Sequence, residues 1–190
     1  MQEFINPHTE VSQHIMAADK IFPNNNVLPV LVYKHVFNLA DDANASIIED
    51  VFNKNNWKNS WINGIYTYHH YHTNTHEVIG IGKGTCMLML GGDDGSLINV
   101  SKGDVVVIPA GVAHKNYGAS ADFECVGAYP NGSEYDLKKG NLEERALDDA
   151  AIKRVSLPET DPVFGTKGPI MEHWLHDGSK PITETARQFD

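Results

Sequence analysis

From Trp61 to Tyr129 the chain is cut by tight-turn sequences into apolar runs of about five to eight residues. The punctuation is Gly82-Lys83-Gly84, Gly91-Gly92-Asp93-Asp94-Gly95, Ser101-Lys102-Gly103-Asp104 and Pro109-Ala110-Gly111. Glycine supplies the left-handed backbone of tight turns and proline presets φ, so these clusters force the chain to reverse. Runs this short, recurring at regular spacing, predict strands and an all-β barrel or sandwich. Gly82-Lys83-Gly84 has the composition of a phosphate-binding loop, but no helix pattern follows it, and a hairpin turn is the better account.

The flanks read differently. The polar N-terminal segment ends in Phe22-Pro23-Asn24-Asn25-Asn26, with Val11–Ala17 as a short strand or arm. Leu28–Leu39 is β-rich, and Pro29 places it at an edge or a strand start. Asn44–Trp57 carries Ile47, Ile48, Val51 and Phe52 at helical spacing, which predicts one amphipathic helix ended by Asn53-Lys54-Asn55-Asn56. Asn141–Val155 predicts a second helix, with Asn141 and Glu144 spaced as a capping box. The tail from Leu157, with Pro158, Pro162, Gly165, Gly168, Pro169 and Pro181, reads as an extended wrap. The expectation is one domain over residues 1–190. Its barrel core lies at about 61–130, the N-terminal arm and strands at 1–40, the first helix at about 44–57, and the C-terminal helix and tail at 141–190.

With 190 residues, 41% hydrophobic and 21% charged, the chain suits one well-buried core. A formal net charge of −10 leaves no basic stripe to release counterions, so neither nucleic acid nor an anionic membrane is an expected partner. No apolar run reaches a membrane-spanning length, and Met1 is not followed by a charged leader and apolar stretch, so the expectation is a cytoplasmic protein. Cys86 and Cys125 lie in apolar runs and read as two buried thiols.

Within Gly64–His114, His70, His72, Glu77 and His114 have the residue types and spacing of a site for a first-row metal ion. On an extended strand His70 and His72 point the same way, with Tyr66 and Tyr68, while His69 and Tyr71 point the other way. Thr73-Asn74-Thr75-His76 can carry the chain around, placing Glu77 early on the next strand with Ile79 and Ile81 sharing its face. His76, next to Glu77, alternates away. A further ligand must come from elsewhere, and His114 follows a turn that can swing the next strand back across the opening. Asn116 shares the face of His114 and is a candidate pocket neighbour. Tyr66 and Tyr68 are candidate proton donors, weighed against ordinary packing.

These same residues resemble the cupin signatures. The run from Gly64 matches the first motif, G-x5-H-x-H-x4-E-x6-G, at Gly64, His70, His72, Glu77 and Gly84. The run from Gly103 resembles the second, G-x5-P-x-G-x2-H-x3-N, through Gly103, Pro109, Gly111 and His114, with Gly118 where the motif has Asn. Stretches such as FPNNNVLPVLVYK, HYHTNTHEVIGIGKG, GDVVVIPAGVAHKN and DPVFGTKGP are similar to small monocupins of the YjlB type, from about Ile21 to about Trp174. The resemblance implies a double-stranded β-helix barrel, jelly-roll-like, with a metal inside one mouth. It carries His70, His72, Glu77 and His114 over as ligands. The ion would be a divalent Fe, Mn, Zn, Ni or Co. A six-coordinate ion leaves two positions open, whereas a tetrahedral Zn would be closed by four protein ligands and be structural.

The function expected from this site is a metal-dependent small-molecule enzyme, either a dioxygenase or an isomerase or lyase. The ligand set is not the facial triad of two histidines and one carboxylate, which disfavours the 2-oxoglutarate type. The alternatives are a non-catalytic binding module and a barrel merely pinned by its metal. A homodimer is expected, with Leu28–Leu39 and the N-terminal arm offering an edge for strand pairing between subunits.

Overall fold

The structure, a computed structural model, describes residues 4–40 and 45–175. Among the described residues, nine strands form two antiparallel sheets. The strands are β1 (Glu10–Met16), β2 (Asn25–Lys34), β3 (Trp57–Asn63), β4 (Glu77–Lys83), β5 (Thr85–Leu90), β6 (Ser96–Ser101), β7 (Val105–Ile108), β8 (His114–Ala119) and β9 (Glu124–Pro130). The larger sheet has the order β1-β2-β7-β4-β9-β3 and the smaller one β6-β5-β8.

The alternation of side chains along the larger sheet builds two cores. Leu31 and Tyr33 of β2, Val78 of β4, Val105 and Val107 of β7, and Val126 and Ala128 of β9 face outward into one cluster. Val30 and Val32, Ile79 and Ile81, Val106 and Ile108, and Cys125 face the smaller sheet in a second cluster with Leu88, Leu90 and Val100. A sheet buried on both faces needs apolar residues at every position. This is why Val105–Ile108 reads as an unbroken run. Cys86 and Cys125 are buried free thiols, as expected.

The outer core is covered by helix α1 (Ser46–Lys54), whose Ile48, Val51 and Phe52 are buried. Gly80 makes this docking possible: a Cβ there would stand 2.5 Å from the Ile48 side chain and 2.9 Å from the Phe52 ring. The tail completes the cover. Asp161 accepts hydrogen bonds from the Tyr33 hydroxyl at 2.7 Å and from the amides of Val163, Phe164 and Ile170. Trp174 donates its indole N–H to Pro29 O at 3.0 Å.

Several elements differ from the sequence reading. The first helix is shorter than 44–57; its expected start at Asn44 lies outside the described residues, and Trp57 already opens β3. The second forms only at Arg145–Ile152 (α2), because the Asn141 side chain accepts from the Glu143 amide in a turn instead of capping a helix. A third short helix, α3 (Pro169–His173), interrupts the tail, whose last residues, 176–190, lie outside the described ones. β2 is an interior strand flanked by β1 and β7, so Leu28–Leu39 offers no free edge; the arm itself supplies the edge strand. β1 to β3 also extend the sheets well before residue 61. Gly82-Lys83-Gly84 is not a hairpin, since β4 and β5 belong to different sheets and the turn carries the chain between them.

A bulge in β3 positions one residue of the site. Trp57 pairs with Pro130 and Lys58 with Tyr129, but Trp61 pairs with Gly127, so β3 carries an extra residue. Asn59, at φ 55°, absorbs it. An extra residue reverses side-chain alternation. Trp57 therefore sits in the outer core and Trp61 turns to the inner face.

Candidate metal centre

His70 and His72 do not lie on a named strand. They lie on an extended segment held by isolated bridges, His70 to His114 and Tyr71 to Lys138. Alternation holds along it nonetheless. His70 and His72 line a cavity of about 450 Å³ together with Glu77, His114 and Ile79. Tyr71 faces the other way, fully buried, and donates to Asp148 Oδ2 at 2.6 Å. Glu77 opens β4 on the inner face and His114 opens β8 on the opposing sheet.

One ring nitrogen from each of His70, His72 and His114 lies within 4.8 Å of the others. Glu77 stands outside this mutual trio, but its Oε2 is 3.1 Å from His114 Nε2 and 3.3 Å from His72 Nε2. The other nitrogen of each ring is held by a carbonyl: His70 Nδ1 by Tyr68 O at 3.2 Å, His114 Nδ1 by Val112 O at 3.0 Å, and His72 Nδ1 by Asp136 O. A carbonyl can only accept, so in the neutral ring Nδ1 carries the proton and Nε2 keeps its lone pair.

Five buried side-chain atoms lack a hydrogen-bond partner among the described residues. Three of them, His72 Nε2, Glu77 Oε2 and His114 Nε2, converge on this one place. Leaving such atoms unmet in the interior costs about 1–3 kcal/mol each. Lone pairs on imidazoles and a carboxylate, all aimed inward, are the donor set of a first-row divalent ion. The fit is therefore good: each orphan is an electron-pair donor, and the carbonyls behind the rings are the outer support such ligands require.

The electrostatics agree. Burial disfavours ionised Glu77, but positive charge on His72 and the contacts with both histidines outweigh it and hold the carboxyl below its ordinary range. Burial also opposes charge on His72, yet the Glu77 carboxylate raises its pKa. Burial, together with His114, drops His70 to about 3, so its ring is neutral near pH 7. The carboxylate thus demands one positive charge beside it, met by a proton or by a cation in its place.

Glu77 is held from behind. Tyr129 donates its hydroxyl to Glu77 Oε1 at 3.1 Å, and Trp61 Nε1–H donates to Tyr129 at 2.9 Å. The indole lies over β9 at Gly127, where a Cβ would stand 2.1 Å from the ring. His72 is held by the segment after β9. Asp136 takes the Thr73 amide at 2.7 Å and the Thr73 hydroxyl at 2.6 Å, as well as the His72 ring.

Other candidate residues fall into different places. Tyr66 lines the cavity and stacks on Tyr68 at 4.9 Å, whereas Tyr68 is not part of the lining. Ile81 is in the inner core, away from the lining. Asn116 does not line the cavity either; its backbone N–H donates to Tyr66 O at 2.8 Å and pins that residue. His69 turns away from the cavity, packing on Phe22 and meeting Asp93 at 2.9 Å. His76 turns away from the cavity, accepting from the Ala110 amide and packing on Trp174. Gly118, where the motif has Asn, does not line the cavity, and a Cβ there would meet nothing within 4 Å. Trp61, Tyr129, Tyr135 and Asp136 were not singled out by sequence reasoning. The first depends on a bulge, and the last two on a loop that carries no local signal of its destination.

No family model matches the chain. The uncharacterized protein YjlB of Bacillus subtilis (strain 168) is 37% identical over 166 residues, covering 87% of this chain and 98% of that protein. Among solved structures, an acireductone dioxygenase from Bacillus anthracis with cadmium in its active center is 20% identical, at a TM-score of 0.35 over 51% of this chain and 68% of that one. The epimerase RmlC from Legionella pneumophila, solved with dTDP-4-keto-L-rhamnose, is 12% identical, at a TM-score of 0.36 over 67% of this chain and 74% of that one. Likenesses this distant carry nothing about reaction or substrate. Among the described residues, no helix is long and apolar enough to cross a membrane. The residues that resemble the cupin signatures gather at one mouth between two antiparallel sheets, and with 37% identity along nearly the whole of YjlB the chain belongs to the YjlB family.

Proposed function

We propose that this protein is a metal-dependent enzyme acting on a small molecule. The reading is carried by the convergence of His72 Nε2, Glu77 Oε2 and His114 Nε2, buried and unpartnered, in the lining of a cavity. His70, His72, Glu77 and His114 would hold a divalent Fe, Mn, Zn, Ni or Co ion. When bound, such an ion supplies Lewis acidity toward a substrate oxygen and, if it is Fe, a redox centre for O₂ chemistry. The protein's own part is orientation and exclusion of water. The carbonyls behind the three rings fix their tautomers, and Tyr129 fixes the carboxylate. Ile79 and Ile65 supply apolar wall. Tyr66, in the lining, is the proton donor best placed to meet a substrate, with Tyr68 stacked behind it.

Two reaction classes suit this arrangement, a dioxygenase and an isomerase or lyase. Oxygen consumption by Fe(II)-loaded protein with candidate substrates separates them: turnover without O₂ uptake removes the dioxygenase. A non-catalytic binding module is the alternative. It gains if metal-loaded protein binds ligands without ever changing them. A homodimer, formed through the outer edge of β1, is the association we favour. Light scattering that gives the 21.0 kDa chain mass instead of twice that value removes it.

A further inference from the structure

The cavity beside the metal centre has a chemical bias of its own. Its aromatic lining is Trp61, Tyr66, Tyr129 and Tyr135. A tyrosine ring stands beside two of the metal-facing histidines: Tyr66 is 5.2 Å from His70, edge-on, and Tyr135 is 5.1 Å from His72. Each of these tyrosines is backed by another, Tyr66 by Tyr68 and Tyr135 by Tyr129, with ring centroids 4.9 and 4.6 Å apart and nearly parallel planes. Tyr66 and Tyr135 remain 52% and 42% exposed, so aromatic surface faces solvent on the approach to the centre.

Among the described residues, no lysine or arginine lines the cavity. Recognition of a polycarboxylate or a phosphate ester relies on charge-assisted hydrogen bonds from such residues. The cations of the following loop are engaged elsewhere: Lys138 with Glu144 and Asp148, and Lys139 over the Tyr68 ring at 4.3 Å. The ionised group in the lining, Glu77, faces the histidines, and with a divalent ion it leaves a net charge of about +1. A substrate whose single negative charge sits on the metal-binding oxygens is matched to that charge.

We infer that this cavity takes a planar aromatic chelator, a ring with adjacent oxygen donors and at most one ionised group, and not a polycarboxylate or phosphate ester. The inference rests on the metal reading above. The ring would lie against the Tyr66 and Tyr135 faces while its oxygens reach the histidine centre. Stacking of this kind is favourable by an amount that corresponds to a few-fold to about tenfold in affinity per contact.

The test uses three probes, nitrocatechol, para-nitrophenol and oxalate, titrated into purified protein whose metal content is measured on the same samples. Metal-loaded protein should bind nitrocatechol at least about tenfold more tightly than oxalate. Tyr66→Ala and Tyr135→Ala should each weaken nitrocatechol about fivefold and leave oxalate unchanged. Both residues are substantially exposed, so truncating them does not open the core. Loaded protein that binds oxalate as tightly as nitrocatechol, or tyrosine variants that lose nothing, overturns the inference. Protein that takes up no ion, yet still binds para-nitrophenol in a way sensitive to Tyr66→Ala, overturns the metal reading and upholds the ring preference.

Discussion

Glu77 Oε2 lies 3.1 Å from His114 Nε2, both are buried, and neither has a hydrogen-bond partner. The two groups come from opposite sheets of the barrel, β4 and β8. The backbone ties the segment that carries His70 and His72 to the same place: His70 and His114 exchange backbone hydrogen bonds at 2.9 and 3.1 Å, which fixes that segment to β8.

The first prediction concerns Tyr129. Tyr129→Phe removes the hydroxyl between Trp61 and Glu77 and frees Glu77 Oε1. Outer partners of this kind are worth roughly 10- to 100-fold in metal affinity. Competition against a chromophoric chelator should show a loss in that range with the fold retained by circular dichroism. An unchanged affinity would mean that Tyr129 does not position the carboxylate.

Gly127 should tolerate no side chain while Trp61 is present. Gly127→Ala drives a methyl into the indole, at 2.1 Å from its nearest atom. Overpacking of this kind costs about 1–3 kcal/mol. Thermal denaturation should show the loss, and pairing Gly127→Ala with Trp61→Ala should recover part of it, because the atoms that clash are gone. A double variant as unstable as the sum of the singles would contradict this.

The two thiols should be inert and should make the protein alkali-sensitive. Burial lifts Cys86 to about 11, and burial, aided by the Glu77 charge, lifts Cys125 well above the thiol range. A raised native pKa means that the native state keeps its proton after the unfolded state has released it. The associated stability is complete below the unfolded thiol pKa and is lost as pH rises from there through the native value. Melting temperature should fall between about pH 9 and pH 11, and less steeply in Cys86→Ala. Alkylation of native protein at pH 8, followed by mass spectrometry, should find both thiols unmodified.

Asp136 should couple the loop after β9 to the site. Its carboxylate takes both Thr73 donors, and its carbonyl holds His72. Asp136→Ala removes the first pair and leaves the carbonyl, so hydrogen exchange at Thr73 should quicken while His70 and His114 stay protected. Uniform protection across the segment would show that the loop does not hold it.

The sequence displayed the converging histidines because strand alternation is local: His70 and His72 share a face whatever the rest of the chain does, and the same parity sends His69 and His76 away. It displayed α1 through Ile48, Val51 and Phe52 for the same reason. What it hid was non-local. Trp61 reaches the inner face only because Asn59 absorbs an extra residue against β9. Tyr135 and Asp136 join the site only because their loop lies along residues 70–74. Asn116 shares parity with His114 and stays in register with it along β5, yet the cavity stops short of it, because the segment carrying Tyr66 lies alongside and pairs with its backbone N–H. The edge expected at Leu28–Leu39 disappeared because pairing of β1 with β2 is a long-range event that no local pattern announces.

The most direct measurement is elemental analysis of freshly purified protein, with anomalous diffraction from its crystals. One divalent transition-metal ion per chain, seen between His70, His72, Glu77 and His114 and lost in His114→Ala, is the predicted result. Protein grown with ample metal that carries no ion at this position would contradict the account.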